Sequence, residues 1–209
     1  MRRVLVAALS CIFLTSALVT AAAKCSVSCL INGLASKNHR TLRAHITPTD
    51  GDCHAGVKHG FPMPDRRCTP GAINPTVTVA ILKNSNFRTC CVRDKVESES
   101  AKEVAYGWYG IHKPVPNKGQ DQHCELDHLV PLELGGADSM DNIWPQCGPE
   151  AVTLKQRFFK QKDQVESFLA AQVKAGTMDL STAQKAIASD YTQFLKDAKA
   201  FCSTNSCSG

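Results

Sequence analysis

The sequence predicts a disulfide-rich α+β protein in which helices surround a small β element. Three observations predict this class. Residues 125–130 alternate apolar and polar side chains before Pro131, a pattern typical of a short half-buried strand. Residues 150–175 and 181–194 repeat apolar side chains at helical spacing. The chain also contains 11 cysteines among its 209 residues.

The N-terminus has the pattern of an export signal. Arg2 and Arg3 precede an apolar run over residues 4–19, and small residues follow up to Ala23. The run is shorter than the roughly 18 residues that a membrane-spanning helix requires. We therefore predict a signal peptide over residues 1–23 and a secreted, extracellular chain with no membrane association after cleavage.

Cysteine usage agrees with export. Removal of residues 1–23 takes away one cysteine and two arginines, which leaves ten cysteines and a formal charge of +3. An even number of cysteines in an exported chain predicts up to five disulfides formed in an oxidising compartment. Cys90 and Cys91 are expected to have different partners, because a bond between neighbours is strained. Zinc binding is disfavoured, since the chain contains no pair of CxxC motifs.

The exported chain divides into an extension and one domain. Residues 24–64 are polar and rich in turn signals, which predicts a disulfide-pinned extension of unknown role, and residues 65–209 are predicted to form the domain. Scattered histidines in the extension allow a metal site, but histidines without acidic or cysteine partners are typical of solvated loops. These histidines are His39, His45, His54 and His59.

Two helices are predicted before the strand. Asn74-Pro75 fits a helix start, although residues 76–79 alternate like a strand, and we favour a short helix. Ser98 to Gly110 is predicted to be helical because Ser100 and Glu103 form a capping-box pattern. Its apolar face would comprise Ala101, Val104, Ala105 and Trp108.

Two further helices are predicted after the strand. Glu150 to Ala175 reads as one long helix that ends at Gly176. Its apolar positions are Phe158, Val165, Phe168, Leu169 and Val173. Ser181 and Gln184 resemble a second capping box and predict a last helix. Ala183, Ile187, Tyr191 and Phe194 would line its buried side.

The most informative stretch is Cys124 to Gln146. Asp127 and His128 adjoin near the end of the predicted strand. Gly135-Gly136 can adopt backbone angles that other residues avoid, so the chain can turn sharply there. This turn would bring Asn142, fourteen positions after His128, back toward the histidine.

These residues resemble the HNH family of His-Me finger nucleases, whose site reads DH, then P, then GG, then N about fourteen positions after the histidine. The similarity is stronger to secreted HNH-like proteins that carry DHLVPLELGG followed by N-[LI]-W-P. It covers about residues 65 to 195 and implies a ββα-metal (His-Me finger) core embedded in helices. Without the resemblance, Asp127 and His128 could equally be a buried hydrogen-bonded pair that stabilises a loop.

The resemblance implies a metal-dependent endonuclease that hydrolyses phosphodiester bonds in DNA or RNA with little sequence specificity. His128 would be the general base, since a neutral imidazole with a pKa of about 6.5 can accept a proton from water. Asp127 would bind one divalent cation, Mg²⁺ or alternatively Mn²⁺. Asn142 would hold the hairpin that orients His128.

The chain departs from the family pattern at one position. The family has a second histidine on the following helix, but no histidine follows His128 here, and Lys160 stands where the secreted relatives have it. A protonated lysine would repel a metal, so the site would use Asp163 or more water. The alternatives are a catalytically inactive HNH-fold effector or nucleic-acid-binding protein, and an extracellular interaction protein without a nucleic-acid partner.

Cations near the motif predict a phosphate-binding surface on a monomeric protein with nucleic acid as its substrate. A solvated helix face is the alternative interpretation. The predicted cations are Lys155, Arg157 and Lys162 on the helix after the motif, and Arg93 and Lys102 at basic positions shared with the secreted family.

Overall fold

The computed structural model describes residue 29, residues 46–93 and residues 99–207. The predicted signal peptide lies outside the described residues, as do His39, His45 and Ser98. Among the helices of these ranges, none combines the length and the apolar character that a membrane crossing requires.

Two antiparallel hairpins and a set of helices form the described fold. Strand β1 (Gly56–Lys58) pairs with β2 (Phe61–Met63), and β3 (Cys124–His128) pairs with β4 (Ile143–Cys147). The helices are α1 (Val79–Lys83), α2 (Val104–Trp108), α3 (Phe158–Ala175), α4 (Leu180–Asp190) and α5 (Leu195–Cys202). The chain is therefore an α+β protein, as predicted.

The β3–β4 hairpin lies at the centre of the fold, and α3 packs against both strands and against α5. Asp127 is paired with Trp144, and His128 with Ile143. Because neighbouring residues of a strand point to opposite faces, the Asp127 and His128 side chains leave the sheet on different sides. The strand ends at His128, two residues before the predicted end, because the amide and carbonyl of Val130 bond to the Asn142 side chain and not to a neighbouring strand.

Helix α3 begins later than predicted but ends as predicted. Thr153 and Gln156 cap a short 3-10 turn over Leu154–Gln156, so that the α-helix starts at Phe158 rather than at Glu150. Gly176 ends the helix with a φ of 79°, a conformation in which glycine is favoured. Of the predicted apolar face, Val165, Leu169 and Val173 are buried, whereas Phe158 and Phe168 are half-buried.

Helix α1 starts at Val79, four residues after the predicted start. Thr78 is its N-cap residue and accepts a hydrogen bond from the Ile81 amide. Asn74 has a different role, because its side-chain oxygen accepts hydrogen bonds from the amide and hydroxyl of Thr76. This local turn competes with helix formation, which explains the late start.

The predicted helix over residues 98–110 is divided into a 3-10 segment, Glu99–Glu103, followed by α2. A 3-10 segment has three residues per turn instead of 3.6, so it changes which side chains face inward. Val104 was expected to be buried and is 46% exposed, whereas Tyr106 is buried. Lys102 is also buried, on the face that the simple helical pattern assigned to solvent.

The capping box predicted for α4 does not form. Asp179 occupies the N-cap position, and Gln184 is buried, where its side-chain amide donates to the Leu134 carbonyl at 2.8 Å. Gln184 thus joins α4 to the loop that follows β3. Ala183, Ile187 and Tyr191 are buried, as the pattern predicted.

Four disulfides have both cysteines within the described residues: Cys29–Cys91, Cys53–Cys68, Cys124–Cys147 and Cys202–Cys207. The adjacent Cys90 and Cys91 are not bonded to each other, as predicted, because Cys91 pairs with Cys29. The Cys53–Cys68 bond crosses the predicted boundary at residue 64 and ties the extension to the domain. This density of disulfides is typical of proteins that fold in an oxidising, extracellular environment.

The double glycine is required for two different reasons. Gly135 has a φ of 74°, in the region that side chains disfavour. Gly136 lies so close to the chain that a Cβ atom there would be 1.7 Å from the Val130 carbonyl oxygen and 2.8 Å from the Asn142 side-chain nitrogen. The turn therefore depends on the absence of a side chain at residue 136.

The substitution Gly136→Ala is expected to lower the free energy of unfolding by about 3 kcal/mol or more, because backbone atoms must move to admit the methyl group. Urea unfolding of the oxidised protein measures the loss. Gly56→Ala is the matched control, since a Cβ there would meet no atom within 4 Å. A Gly136 variant as stable as the Gly56 variant would contradict this account of the turn.

Candidate functional site

The candidate site is a polar groove between β3, the loop after it and α3. Its volume is about 190 Å³. The side chains that line it are mainly charged or titratable, and carboxylates are the most numerous. The titratable lining residues are Arg93, Glu125, Asp127, His128, Glu133, Asp163 and Glu166.

Two carboxyl groups that line the groove, those of Glu125 and Glu133, have raised pKa values. Burial raises the pKa of Glu125 to about 7, and the nearby charges of Asp127 and Asp163 raise it further. Burial also raises the pKa of Glu133. The Oε1 atom of Glu133 is buried and has no hydrogen-bond partner in the part of the chain that the structure describes. The groove therefore contains an oxygen atom whose bonding capacity the described residues do not use.

Lys162 is buried behind this groove and contacts three of its lining residues. Its buried ammonium lies 2.9 Å from Asp127 Oδ2, donates to the His128 carbonyl at 2.7 Å, and pairs with Glu166. Burial alone would lower the pKa of Lys162, but the charges of Asp127 and Glu166 outweigh burial and raise it. Burial raises the pKa of Asp127 and of Glu166. One ammonium thus serves two buried carboxyl groups.

Lys160, at the position of the missing second histidine, forms an ion pair beside the groove. Its ammonium is 2.8 Å from Asp163 Oδ2 and 4.0 Å from Glu125 Oε2. Desolvation would lower the pKa of Lys160, and the hydrogen bond to Asp163 reverses this effect and raises it. The positive charge of Lys160 is therefore offset locally by carboxylates.

His128 is oriented by a residue that sequence reasoning did not identify. Its Nε2 atom lies 2.8 Å from Asp138 Oδ1, and its side chain is 11% exposed. Asp138 is fully buried and accepts hydrogen bonds from Lys102 Nζ at 2.8 and 3.0 Å. The other ring nitrogen of His128, Nδ1, has no hydrogen-bond partner among the described residues.

Asn142 is fully buried and links the two sides of the loop between β3 and β4. Its Oδ1 atom accepts a hydrogen bond from the Val130 amide at 2.9 Å. Its Nδ2 atom donates to the carbonyls of Val130 and Ala137, both at 2.8 Å. Asn142 does not contact the His128 ring directly. It connects the backbone just after His128 to the backbone just before Asp138.

Asp127 and His128 do not form a hydrogen-bonded pair with each other. Asp127 faces Lys162 and His128 faces Asp138. Both side chains nevertheless line the same groove. The structure thus brings a histidine and several carboxylates to one opening.

The predicted phosphate-binding cations are placed in two different ways. Lys102, Arg157 and Lys162 are buried, and their charged ends are not accessible to a phosphate in this conformation. Arg93 is exposed and lines the groove. Lys155 is exposed but lines a separate groove on the opposite flank of α3.

The groove offers carboxylate oxygens to a hard divalent cation, although among the described residues no three ligand atoms of its His, Asp and Glu side chains lie within 4.8 Å of one another. Carboxylate oxygens are the ligands that Mg²⁺ and Mn²⁺ prefer in proteins. Glu125, Asp127 and Asp163 supply such oxygens, and the unpaired Oε1 atom of Glu133 lies buried in the same lining. Burial is the main cause of the raised pKa of Glu125, and an incoming cation would offset the neighbouring carboxylate charges that raise it further.

A second group of potential ligands does not fit a metal. The sulfur atoms of Cys29, Cys90 and Cys91 lie within 4.8 Å of one another. Cys29 and Cys91 are joined by a disulfide, and Cys90 is disulfide-bonded as well. Because cysteine binds a metal through its thiolate, the sulfur atoms of a disulfide cannot serve as metal ligands.

The chain was compared with protein-family models, with curated proteins and with solved structures, and none of them matches it. Function is therefore inferred from the motif and from the chemistry of the groove.

In the presence of a chelator, the substitution Glu125→Gln is expected to raise the free energy of unfolding, relative to wild type, more at pH 8 than at pH 5. A folded-state pKa of about 7 exceeds the value of about 4.3 in an unfolded chain, so the free energy of unfolding falls as pH rises between these values. Glutamine cannot ionise and removes that fall. Because 33% of the side chain is exposed, the gain is expected to be about 1 to 2 kcal/mol.

Urea unfolding at the two pH values measures this difference. Glu150→Gln is the control, since that side chain is 72% exposed. The difference in free energy of unfolding between this variant and wild type should be nearly the same at pH 5 and at pH 8. An identical pH dependence in wild type and Glu125→Gln would show that the groove does not raise the pKa of Glu125.

Proposed function

We propose that the protein is a secreted, metal-dependent nuclease of the HNH type that hydrolyses phosphodiester bonds in DNA or RNA with little sequence specificity. One observation carries the proposal: His128 and the carboxylates of Asp127, Glu125 and Asp163 line a single groove. In this proposal the β3–β4 hairpin and α3 are the two strands and the helix of a ββα-metal core. The DH, GG and N elements of the motif support that correspondence.

His128 acts as the general base in this mechanism. A neutral imidazole can remove a proton from a water molecule at neutral pH, and the water then attacks phosphorus. The Nε2 atom is engaged by Asp138, so Nδ1 is the nitrogen that accepts the proton. Asn142 orients His128 indirectly, through its hydrogen bonds to Val130 and Ala137.

The divalent cation would be held by Asp127 together with Glu125 and Asp163, and Mg²⁺ suits their oxygen atoms. When bound, it would supply charge stabilisation for the phosphate and for the leaving 3′ oxygen. The carboxylate of Asp163 offsets the charge of Lys160, and Asp163 would have to share its oxygens between Lys160 and the cation.

Substrate binding is proposed to depend on contacts with the phosphate backbone. Arg93 is the accessible cation in the lining of the groove, and a cation contacts any phosphate without reading the base. Low sequence specificity follows from such contacts. The disulfides of the chain suit action outside the cell.

A second candidate function is a catalytically inactive HNH-fold protein that binds nucleic acid or acts as an effector. The buried Lys162 ammonium, 2.9 Å from Asp127, favours it. An ammonium that already neutralises Asp127 competes with a divalent cation for the same carboxylate. Cleavage and binding must therefore be measured separately.

The test is a cleavage assay with the oxidised chain that starts at Lys24. Plasmid DNA and RNA are incubated with Mg²⁺, with Mn²⁺ or with chelator. Cleavage is expected only with metal, and His128→Ala is expected to lower the rate by about a hundredfold or more. His54→Ala is the matched control, since His54 is exposed and does not line the groove, and its rate should equal that of wild type.

Failure of the folded wild type to cleave with either metal would overturn the nuclease proposal. Binding of DNA that weakens steeply with salt, without cleavage, would then support the inactive nucleic-acid-binding protein. Absence of binding even at low salt would exclude both candidates and leave an extracellular interaction protein.

A further inference from the structure

We propose that Asp138 is a positioning residue that holds His128 in the tautomer with the proton on Nε2, and that Lys102 fixes Asp138 for this task. The inference rests on the proposed function, because it explains how Nδ1 of His128 stays free to accept a proton. Neither Asp138 nor Lys102 was expected to act on the histidine. Lys102 was instead expected to bind nucleic acid.

The hydrogen bond between His128 and Asp138 has only one direction. A carboxylate accepts hydrogen bonds and donates none, so the ring must donate from Nε2 to Asp138 Oδ1 across 2.8 Å. A neutral imidazole has one ring proton. With that proton on Nε2, Nδ1 carries a lone pair and is the basic nitrogen.

Lys102 keeps the carboxylate in place. The side chains of Lys102 and Asp138 are 2% and 0% exposed, and the ammonium lies 2.8 and 3.0 Å from the two carboxylate oxygens. Burying a charge without a partner costs several kcal/mol, so the lysine makes the buried carboxylate tolerable. Because Lys102 spans both oxygens, it also restricts rotation of the carboxylate relative to the His128 ring.

Asn142 holds the backbone that carries Asp138. Its side-chain nitrogen donates to the carbonyl of Ala137, the residue before Asp138, and its backbone amide donates to the Ser139 carbonyl at 2.9 Å. Both neighbours of Asp138 are thereby bound to one buried residue. The distance from Asp138 to His128 is thus set by the same loop closure that shapes the motif.

The exchange of Asp138 for asparagine separates orientation from charge. A side-chain amide has one acceptor oxygen and one donor nitrogen. Asp138 Oδ1 faces both His128 Nε2 and Lys102 Nζ at 2.8 Å, so an asparagine oxygen in its place still accepts from both and keeps the proton on Nε2. Asp138→Ala removes the acceptor, so the ring proton is no longer held on Nε2 and the Nδ1–H tautomer appears. In that tautomer Nδ1 cannot act as a base.

The experiment is ¹⁵N NMR of the histidine rings in the oxidised chain from Lys24, at a pH where the rings are neutral. Comparison with His128→Ala assigns the His128 signals. Wild type and Asp138→Asn are expected to show the Nε2–H tautomer alone, and Asp138→Ala a mixture of both tautomers. In the cleavage assay, Asp138→Ala is expected to lower kcat by about a hundredfold with little change in KM, and Asp138→Asn to lower it less.

Two further variants separate positioning from general damage. Asp65→Asn removes another ion-paired carboxylate, one that pairs with Arg67 at 2.7 Å outside the groove, and it should leave the His128 tautomer and the cleavage rate unchanged. Lys102→Gln keeps the acceptor at residue 138 and should retain the Nε2–H tautomer. These spectra do not depend on activity, so they decide the tautomer even if the wild type cleaves nothing.

A wild-type spectrum with the proton on Nδ1 would overturn the proposal without any variant. An Asp138→Ala protein that shows the Nε2–H tautomer alone, whether or not it cleaves, would also overturn it. Lack of cleavage by a wild type with the Nε2–H tautomer would refute the nuclease function alone.

Discussion

The buried side chain of Asn142 is the constraint on which the site depends. It makes three hydrogen bonds with no exposure to solvent, two to Val130 and one to Ala137. An unsatisfied buried polar group costs about 1 to 3 kcal/mol, so the loop must keep the one conformation that satisfies this amide. That conformation brings the backbone of Gly136 against Val130 and leaves no room for a side chain there. Loop shape and histidine orientation thus share one cause.

Two buried lysines form ion pairs with different carboxylates of the site. Lys102 pairs with Asp138 on the side of the His128 ring, and Lys162 pairs with Asp127 and Glu166 on the side of the groove. Loss of one partner from a buried ion pair costs about 3 to 5 kcal/mol, because the remaining charge is left without compensation. Proteins accept such arrangements most often at functional sites, where perturbed pKa values accumulate. The raised pKa of Glu125 fits this pattern.

The sequence predicted the elements better than the contacts. The strand at β3, the end of α3 at Gly176 and the separate partners of Cys90 and Cys91 follow from local rules of periodicity, glycine geometry and bond strain. The start of α1 did not follow, because the hydrogen bonds between Asn74 and Thr76 compete with helix formation, and the break within residues 98–110 did not follow either. The ββα-metal identity of the core remains a proposal.

The interior cations show why part of the site escaped prediction. A lysine in a charge run looks the same whether it faces solvent or a carboxylate. Lys162 precedes Val165 and Leu169 at spacings of three and seven, which places it on the buried face of α3, and this signal was present in the sequence. The pairing of Lys102 with Asp138 joins residues 36 positions apart and carries no local signal. Asp138 itself lies between the double glycine and Asn142, a position that only the loop closure makes meaningful.

The Cys124–Cys147 disulfide affects the outcome of proteolytic cleavage of the chain. It joins the paired outer ends of β3 and β4, with a sequence separation of 23, and closes a covalent ring. Asp127, His128, Asp138 and Asn142 all lie within this ring. A single peptide-bond cut anywhere inside it leaves two pieces that cannot diffuse apart, and the hydrogen bonds of Asn142 and the strand pairing keep them in register. A nicked molecule can therefore retain the whole constellation, and the damage becomes visible as separate fragments only after reduction.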